Sequence, residues 1–220
     1  MKQTNFTKFS FGLGALGKDL CYAMISYFLM IYFTDTVGMA PLFVGNLFLV
    51  ARIWDAFNDP MMGFVVDNTR SKWGKFRPWI LLGAVLNSIV MIFMFRKPAG
   101  MTGFSMYAYF SVMYILWGMT YTVIDIPYWS MLPSLSSTKE ERDSMSVIPR
   151  IFASLAWLLM GAFAIKMVPC SGTEMTRRVI PCWRSALPLS LWLLPLLPLY
   201  LLKTAAVLEK QEIKKRKERP

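Results

Sequence analysis

Two groups of ionisable residues lie inside apolar stretches of this chain, and their spacing suggests different chemistry for each. Asp55 and Asp59 are four positions apart, with Asn58 between them. On a helix, residues at i and i+4 share a face, and i+3 lies beside them. Two carboxylates and a side-chain amide converging there offer hard oxygen ligands, which suit a small hard cation. Neighbouring carboxylates also repel one another, so the pair can accept either an alkali cation or a proton. The plainer reading is that Arg52 and Lys18 simply neutralise these acids in a packed bundle. A bundle gains little from so many buried charges, which disfavours it. The second group is Tyr121, Asp125 and Trp129, again four apart and so one stripe on a helix. Its carboxylate can accept hydrogen bonds from sugar hydroxyls, and an aromatic ring can stack on the apolar face of a pyranose. Lys18, Asp19 and Arg150 supply further hydroxyl partners. A purely aromatic packing stripe would not need the aspartate at its centre.

A third motif is Gly63, Asp67, Arg70, Lys72, Gly74, Lys75 and Arg77. A glycine, an acid and a basic run between two apolar blocks make a turn that ion pairs can lock. Arg52, Asp67 and Arg70 belong to the expected gating set.

The elements that must hold these residues are membrane helices. Of 220 residues, 55% are hydrophobic and 17% charged, more apolar and less charged than a soluble domain. The apolar residues come in blocks near the roughly 20 residues that a spanning helix needs. Spans are expected at 12–33, 42–66, 78–95, 103–131, 147–168 and 186–202. Without period-2 alternation the blocks read as helices, not as a barrel, so the fold class is all-α. Ionisable groups in such spans cost about 2.5–3.5 kcal/mol each and mark functional sites. Pro60 and Pro127 fall inside spans, where proline kinks a helix.

Several classes are excluded. The chain has no histidine, so His-based triads and His-ligated metals are out; its three cysteines, Cys21, Cys170 and Cys182, are too few for a disulfide framework. No nucleophile–base pair stands out, so the chain is not expected to be an enzyme and needs no cofactor. The net charge of +11 would suit nucleic acid, but the basic residues lie between apolar blocks. There they mark the cytoplasmic side of a membrane instead. The partners are therefore a lipid bilayer and a small molecule, and no nucleic acid. The segment 34–41 has no basic residue, whereas 67–77 has Arg70, Lys72, Lys75 and Arg77. Lys2 and Lys8 precede the first span, and Lys139 and Arg142 follow the fourth. Both termini are expected in the cytoplasm. No A-x-A-like site follows the polar N-terminus, so a removed signal peptide is not expected.

The pattern changes near residue 169. Six of the thirteen prolines lie in 169–220, among them Pro188, Pro195 and Pro198 in the sixth span, where a regular helix is hard to keep. The connection before that span should be external, yet it carries Arg177, Arg178 and Arg184. The expected organisation is a bundle over 1–168, a divergent segment over 169–202 and a basic tail over 203–220. A truncated or frameshifted, non-transporting fragment is the alternative reading.

Five stretches then carry a resemblance. They are Gly12-Leu-Gly-Ala-Leu-Gly-Lys18-Asp19; Leu47 through Arg52, Asp55, Asn58 and Asp59 to Pro60; Thr69 to Ile80; Ile115 through Asp125 to Ser130; and Pro149-Arg150-Ile-Phe-Ala-Ser-Leu155. The chain closely resembles the melibiose-carrier family, the glycoside–pentoside–hexuronide:cation symporters of the major facilitator superfamily. The resemblance is dense over 8–168 and ends near Pro169. It implies the six-helix N-terminal bundle of a transporter in a bacterial inner membrane. It also implies symport of melibiose or related galactosides with Na⁺, Li⁺ or H⁺ by alternating access. By the same resemblance Asp55, Asn58, Asp59 and Thr122 serve the cation. Lys18, Asp19, Tyr121, Asp125, Trp129 and Arg150 serve the sugar, and Arg142 belongs to the gating region. The family has two six-helix halves, so a missing second half or self-association is expected here.

Overall fold

The computed structural model describes residues 5–72, 74–98, 100–135 and 139–167. Five long helices and one short one make up this part: α1 (Asn5–Ile31), α2 (Pro41–Asn68), α3 (Arg77–Met94), α4 (Phe104–Ser130), α5 (Leu132–Leu135) and α6 (Lys139–Met167). No strand occurs among the described residues. The first five expected spans coincide with the five long helices. The sixth span, the divergent segment and the basic tail lie outside the described residues.

The helices outrun the apolar blocks at their ends. α1 starts at Asn5, not at 12, and α6 at Lys139, not at 147. Hydropathy reports only the part of a helix that suits lipid, while the backbone ladder continues through polar turns. Pro60, Pro127 and Pro149 all lie inside helices that run on across them.

Local sequence sets the ends. α1 continues into a π-helical turn, Tyr32–Val37, which stops at Gly38. Gly38 has φ 85°, the left-handed region that glycine enters without steric cost. Lys97 donates to the Val37 carbonyl at 3.2 Å, filling an orphan acceptor at a helix C-terminus with a cation. Pro41 opens α2 after an extended Ala40, a position where its missing N–H costs nothing.

α1 packs along α6, α3 along α4, and α2 against α4. Two glycines bring these helices close. A Cβ on Gly12 would lie 2.5 Å from the Phe152 ring of α6, and one on Gly83 would lie 2.8 Å from Ile124 of α4. Asn87, 2% exposed, donates from α3 to Thr120 Oγ1 on α4 at 3.1 Å.

Two apolar clusters result. One holds Phe28, Phe33, Leu47, Met94, Phe110 and Trp117. The other, at the opposite end, holds Phe11, Ala15, Ile80, Tyr128, Met131 and Met145. Tyr128 stacks on Phe11 at 4.4 Å and donates to its carbonyl at 2.6 Å. Lys18 and Asp19 on α1, and Tyr121 and Asp125 on α4, occupy the level between the clusters. Outward, the helices expose large apolar side chains such as Leu49, Ile53, Phe57, Phe64, Phe93 and Leu158. Among the described residues, three helical stretches, Phe11–Val37, Arg77–Met94 and Met145–Ala162, are long and apolar enough to cross a membrane by length and composition. α2 and α4, at 28 and 27 residues, are also longer than a span requires.

Candidate functional site

A cavity of about 430 Å³ opens between α1, α2, α4 and α6, inside the range of about 300–1,000 Å³ usual for small-molecule sites. Both sequence-predicted groups meet on its walls. Lys18, Asp19, Tyr121, Asp125 and Trp129 line one part, and Asp55, Asp59 and Thr122 another.

The first part is built around Lys18. Its ammonium pairs with Asp125 at 2.7 Å and with Asp19 at 3.0 Å. Its side chain is 3% exposed, and the rings of Tyr121, Tyr128 and Trp129 stand within 6 Å of its nitrogen, close enough for cation–π attraction. Tyr121 donates to Asp19 at 3.2 Å and accepts from Lys18 at 3.4 Å. Trp129 Nε1 donates to Asp125 at 3.1 Å. One cation and two carboxylates leave this group at a formal −1. Every carboxylate keeps lone pairs that could accept from ligand hydroxyls. Trp129 is tied down by its indole nitrogen, which fixes the ring as a platform.

The second part lies where α2 meets α4. Thr122 donates to Asp59 at 3.0 Å. Asp55 faces Arg52 at 3.6 Å, longer than a charge-assisted hydrogen bond. Gly118 lets α4 approach: a Cβ there would stand 3.3 Å from Asp55 Oδ1. Arg52, Asp55 and Asp59 again sum to −1. Two carboxylates and a hydroxyl are the hard oxygen donors that an alkali cation takes.

Other expected residues fall elsewhere. Arg150 is exposed and outside the cavity lining. Asn58 also lies outside it; its buried Nδ2 finds no hydrogen-bond partner among the described residues. Lys18 joins Asp19 and Asp125, not the α2 acids. Asp67, Arg70 and Arg142 are exposed. In the turn after α2 the ion pair is Lys75 with Asp67, at 2.8 Å. Arg52 is far from that turn, about 22 Å along α2 from Asp67 at 1.5 Å per residue. It lines the cavity and donates to Tyr22 at 2.7 Å.

Sequence reasoning missed several lining residues, among them the aromatics Tyr22, Trp54, Tyr114, Trp117 and Trp157. Tyr22 follows Lys18 by four positions and Trp117 precedes Tyr121 by four, so helical spacing could have found both. Tyr114, Trp117 and Tyr121 form a ladder on α4, with ring centroids 5.8 and 5.9 Å apart.

The sequence matches the family model described as MFS/sugar transport protein over residues 10–219. It is 36% identical over 166 residues to an isoprimeverose transporter of Lactiplantibacillus pentosus, covering 75% of this chain and 34% of that one. It is 34% identical over 168 residues to the inner membrane symporter YicJ of Escherichia coli, covering 76% and 36%. A lactose permease of Leuconostoc lactis is 32% identical over 162 residues, covering 67% and 25%. The chain thus spans about a third of the length of the first two of these curated relatives.

Proposed function

The chain belongs to the MFS/sugar transport protein family, and from that premise we propose that it carries the substrate and cation groups of a sugar symporter. The observation that carries this reading is the shared cavity, with a hydroxyl-binding group on α1 and α4 and a hard-oxygen group on α2 and α4. The six ionised side chains on its walls, Lys18, Asp19, Arg52, Asp55, Asp59 and Asp125, sum to −2. Uncompensated charge inside a membrane is costly, so a monovalent cation or a proton near Asp55 and Asp59 is favoured. A neutral sugar adds hydroxyl donors to Asp19 and Asp125 without adding charge.

The coupling ion in this reading is Na⁺, Li⁺ or H⁺, and the sugar is a galactoside such as melibiose. The relatives' names, which include isoprimeverose and lactose, widen the sugars to be tested. The setting is a bacterial inner membrane with both termini in the cytoplasm, supported by the basic turn at 67–77. Arg52 has a side chain 64% exposed beside the cavity, which supports a second bundle covering that face. That bundle is either further chain of the same protein or a second copy.

Equilibrium binding tests the reading. Radiolabelled melibiose, lactose and isoprimeverose are titrated onto the chain in lipid nanodiscs, with and without Na⁺, Li⁺ or lowered pH. At least one sugar should bind more tightly when a cation is present. No cation effect on any of the three would remove the symport reading.

A further inference from the structure

One side chain that belongs to neither charged group touches both. Tyr22 on α1 accepts a 2.7 Å hydrogen bond from Arg52 Nη2. Its ring lies 4.8 Å from that of Tyr121, and also contacts Trp117 at 5.6 Å and Trp157 at 6.0 Å. Arg52 faces Asp55 at 3.6 Å, and Tyr121 donates to Asp19 at 3.2 Å. Asp55, Arg52, Tyr22, Tyr121 and Asp19 therefore form a continuous series from the acids of α2 to the acid of α1.

We infer that Tyr22 is a positioning residue that links cation occupancy at Asp55 to the geometry of Tyr121 and Asp19. The inference rests on the symport reading and adds a residue to it. The two ends of the series are held unequally. The hydrogen bond from Arg52 to Tyr22 is short, while its contact with Asp55 is long and open to competition. A cation at Asp55 and Asp59 takes over the Asp55 carboxylate and leaves the guanidinium with Tyr22 as its anchor. Tyr22 cannot shift without moving Tyr121, because their rings are in contact. The Tyr121 hydroxyl is shared between Asp19 and Lys18, so its displacement changes the acceptors that a sugar meets. The link works in both directions, since a coupling free energy between two sites is reciprocal.

Tyr22→Phe keeps the ring and removes the hydroxyl that Arg52 holds. Tyr27→Phe is the control, because Tyr27 also contacts Trp157, at 5.7 Å, but lies outside the series. The same nanodisc titrations are run on the intact chain, with melibiose, lactose and isoprimeverose as probes. In the wild type, Na⁺, Li⁺ or lowered pH should tighten binding of at least one sugar by about fivefold or more. In Tyr22→Phe that factor should fall towards one even though sugar and cation each still bind alone. Tyr27→Phe should behave as wild type. An unchanged factor in Tyr22→Phe overturns the link while leaving symport intact, because the coupling then passes directly through space. Loss of both separate affinities also overturns it, because Tyr22 would then only support packing. A wild type with no cation effect sinks the symport reading itself, and the link with it.

Discussion

Lys18 on α1 and Asp125 on α4 approach to 2.7 Å at the level between the two apolar clusters, and Asp19 shares the same ammonium at 3.0 Å. The lysine thus clamps two helices with one buried charge. Lys18→Met leaves two carboxylates uncompensated, and breaking a buried pair costs about 3–5 kcal/mol. The thermal midpoint in detergent should fall clearly below wild type. Adding Asp125→Asn should recover part of the loss by removing one orphaned charge. A double variant no more stable than Lys18→Met would argue against this clamp.

At the other group, Asp55→Cys should abolish Na⁺ stimulation of sugar binding while the protein still inserts. Thr122→Ala removes a hydroxyl that donates to Asp59 and whose oxygen is one of the proposed hard ligands, and Na⁺ affinity should drop by roughly tenfold or more, about 1.4 kcal/mol. Gly118→Ala places a methyl 3.3 Å from Asp55 Oδ1. The crowded site should lose Na⁺ more than the smaller Li⁺. Isothermal titration with each ion measures all three variants, and equal losses for the two ions in Gly118→Ala would contradict the crowding.

Two glycines should respond oppositely to the same methyl. At Gly83 a Cβ meets Ile124 Cγ1 at 2.8 Å and the Ile124 backbone nitrogen at 3.1 Å, so α3 and α4 must part. Gly83→Ala should cost about 1–3 kcal/mol. At Gly45 in α2 nothing lies within 4 Å, and Gly45→Ala should be neutral or stabilising by up to about 1 kcal/mol. Thermal unfolding of the pair is the check.

Topology gives a separate prediction. Gly38 and Gly74 lie beyond opposite ends of α2, which runs Pro41–Asn68, about 42 Å at 1.5 Å per residue. Reporter fusions at these positions should mark opposite sides of the membrane, with Gly74 cytoplasmic. A cytoplasmic signal from both would end this topology.

Expressed by itself, the chain should not accumulate sugar. Alternating access in such folds rocks one bundle against another around a central site, and the described residues form one bundle. Radiolabelled melibiose, lactose and isoprimeverose are offered to cells lacking other carriers. Cation-dependent accumulation above the empty-vector level would point instead to two copies working together.

Much of this was open to inspection in the sequence because it is local. The apolar blocks located five long helices, since a span must satisfy its own backbone. Spacing of four put Asp55 with Asp59, and Tyr121 with Asp125 and Trp129, because helical periodicity decides which residues of one helix share a face. Periodicity does not decide how one helix is rotated against the next. That rotation depends on where backbones can approach, as at Gly12 against Phe152 and Gly83 against Ile124, and on how side chains interlock there. Only the tertiary structure therefore gave Lys18 to Asp125 instead of to the α2 acids. It also drew Arg52 away from the turn at Asp67 and onto Tyr22, and left Arg150 and Asn58 off the cavity wall.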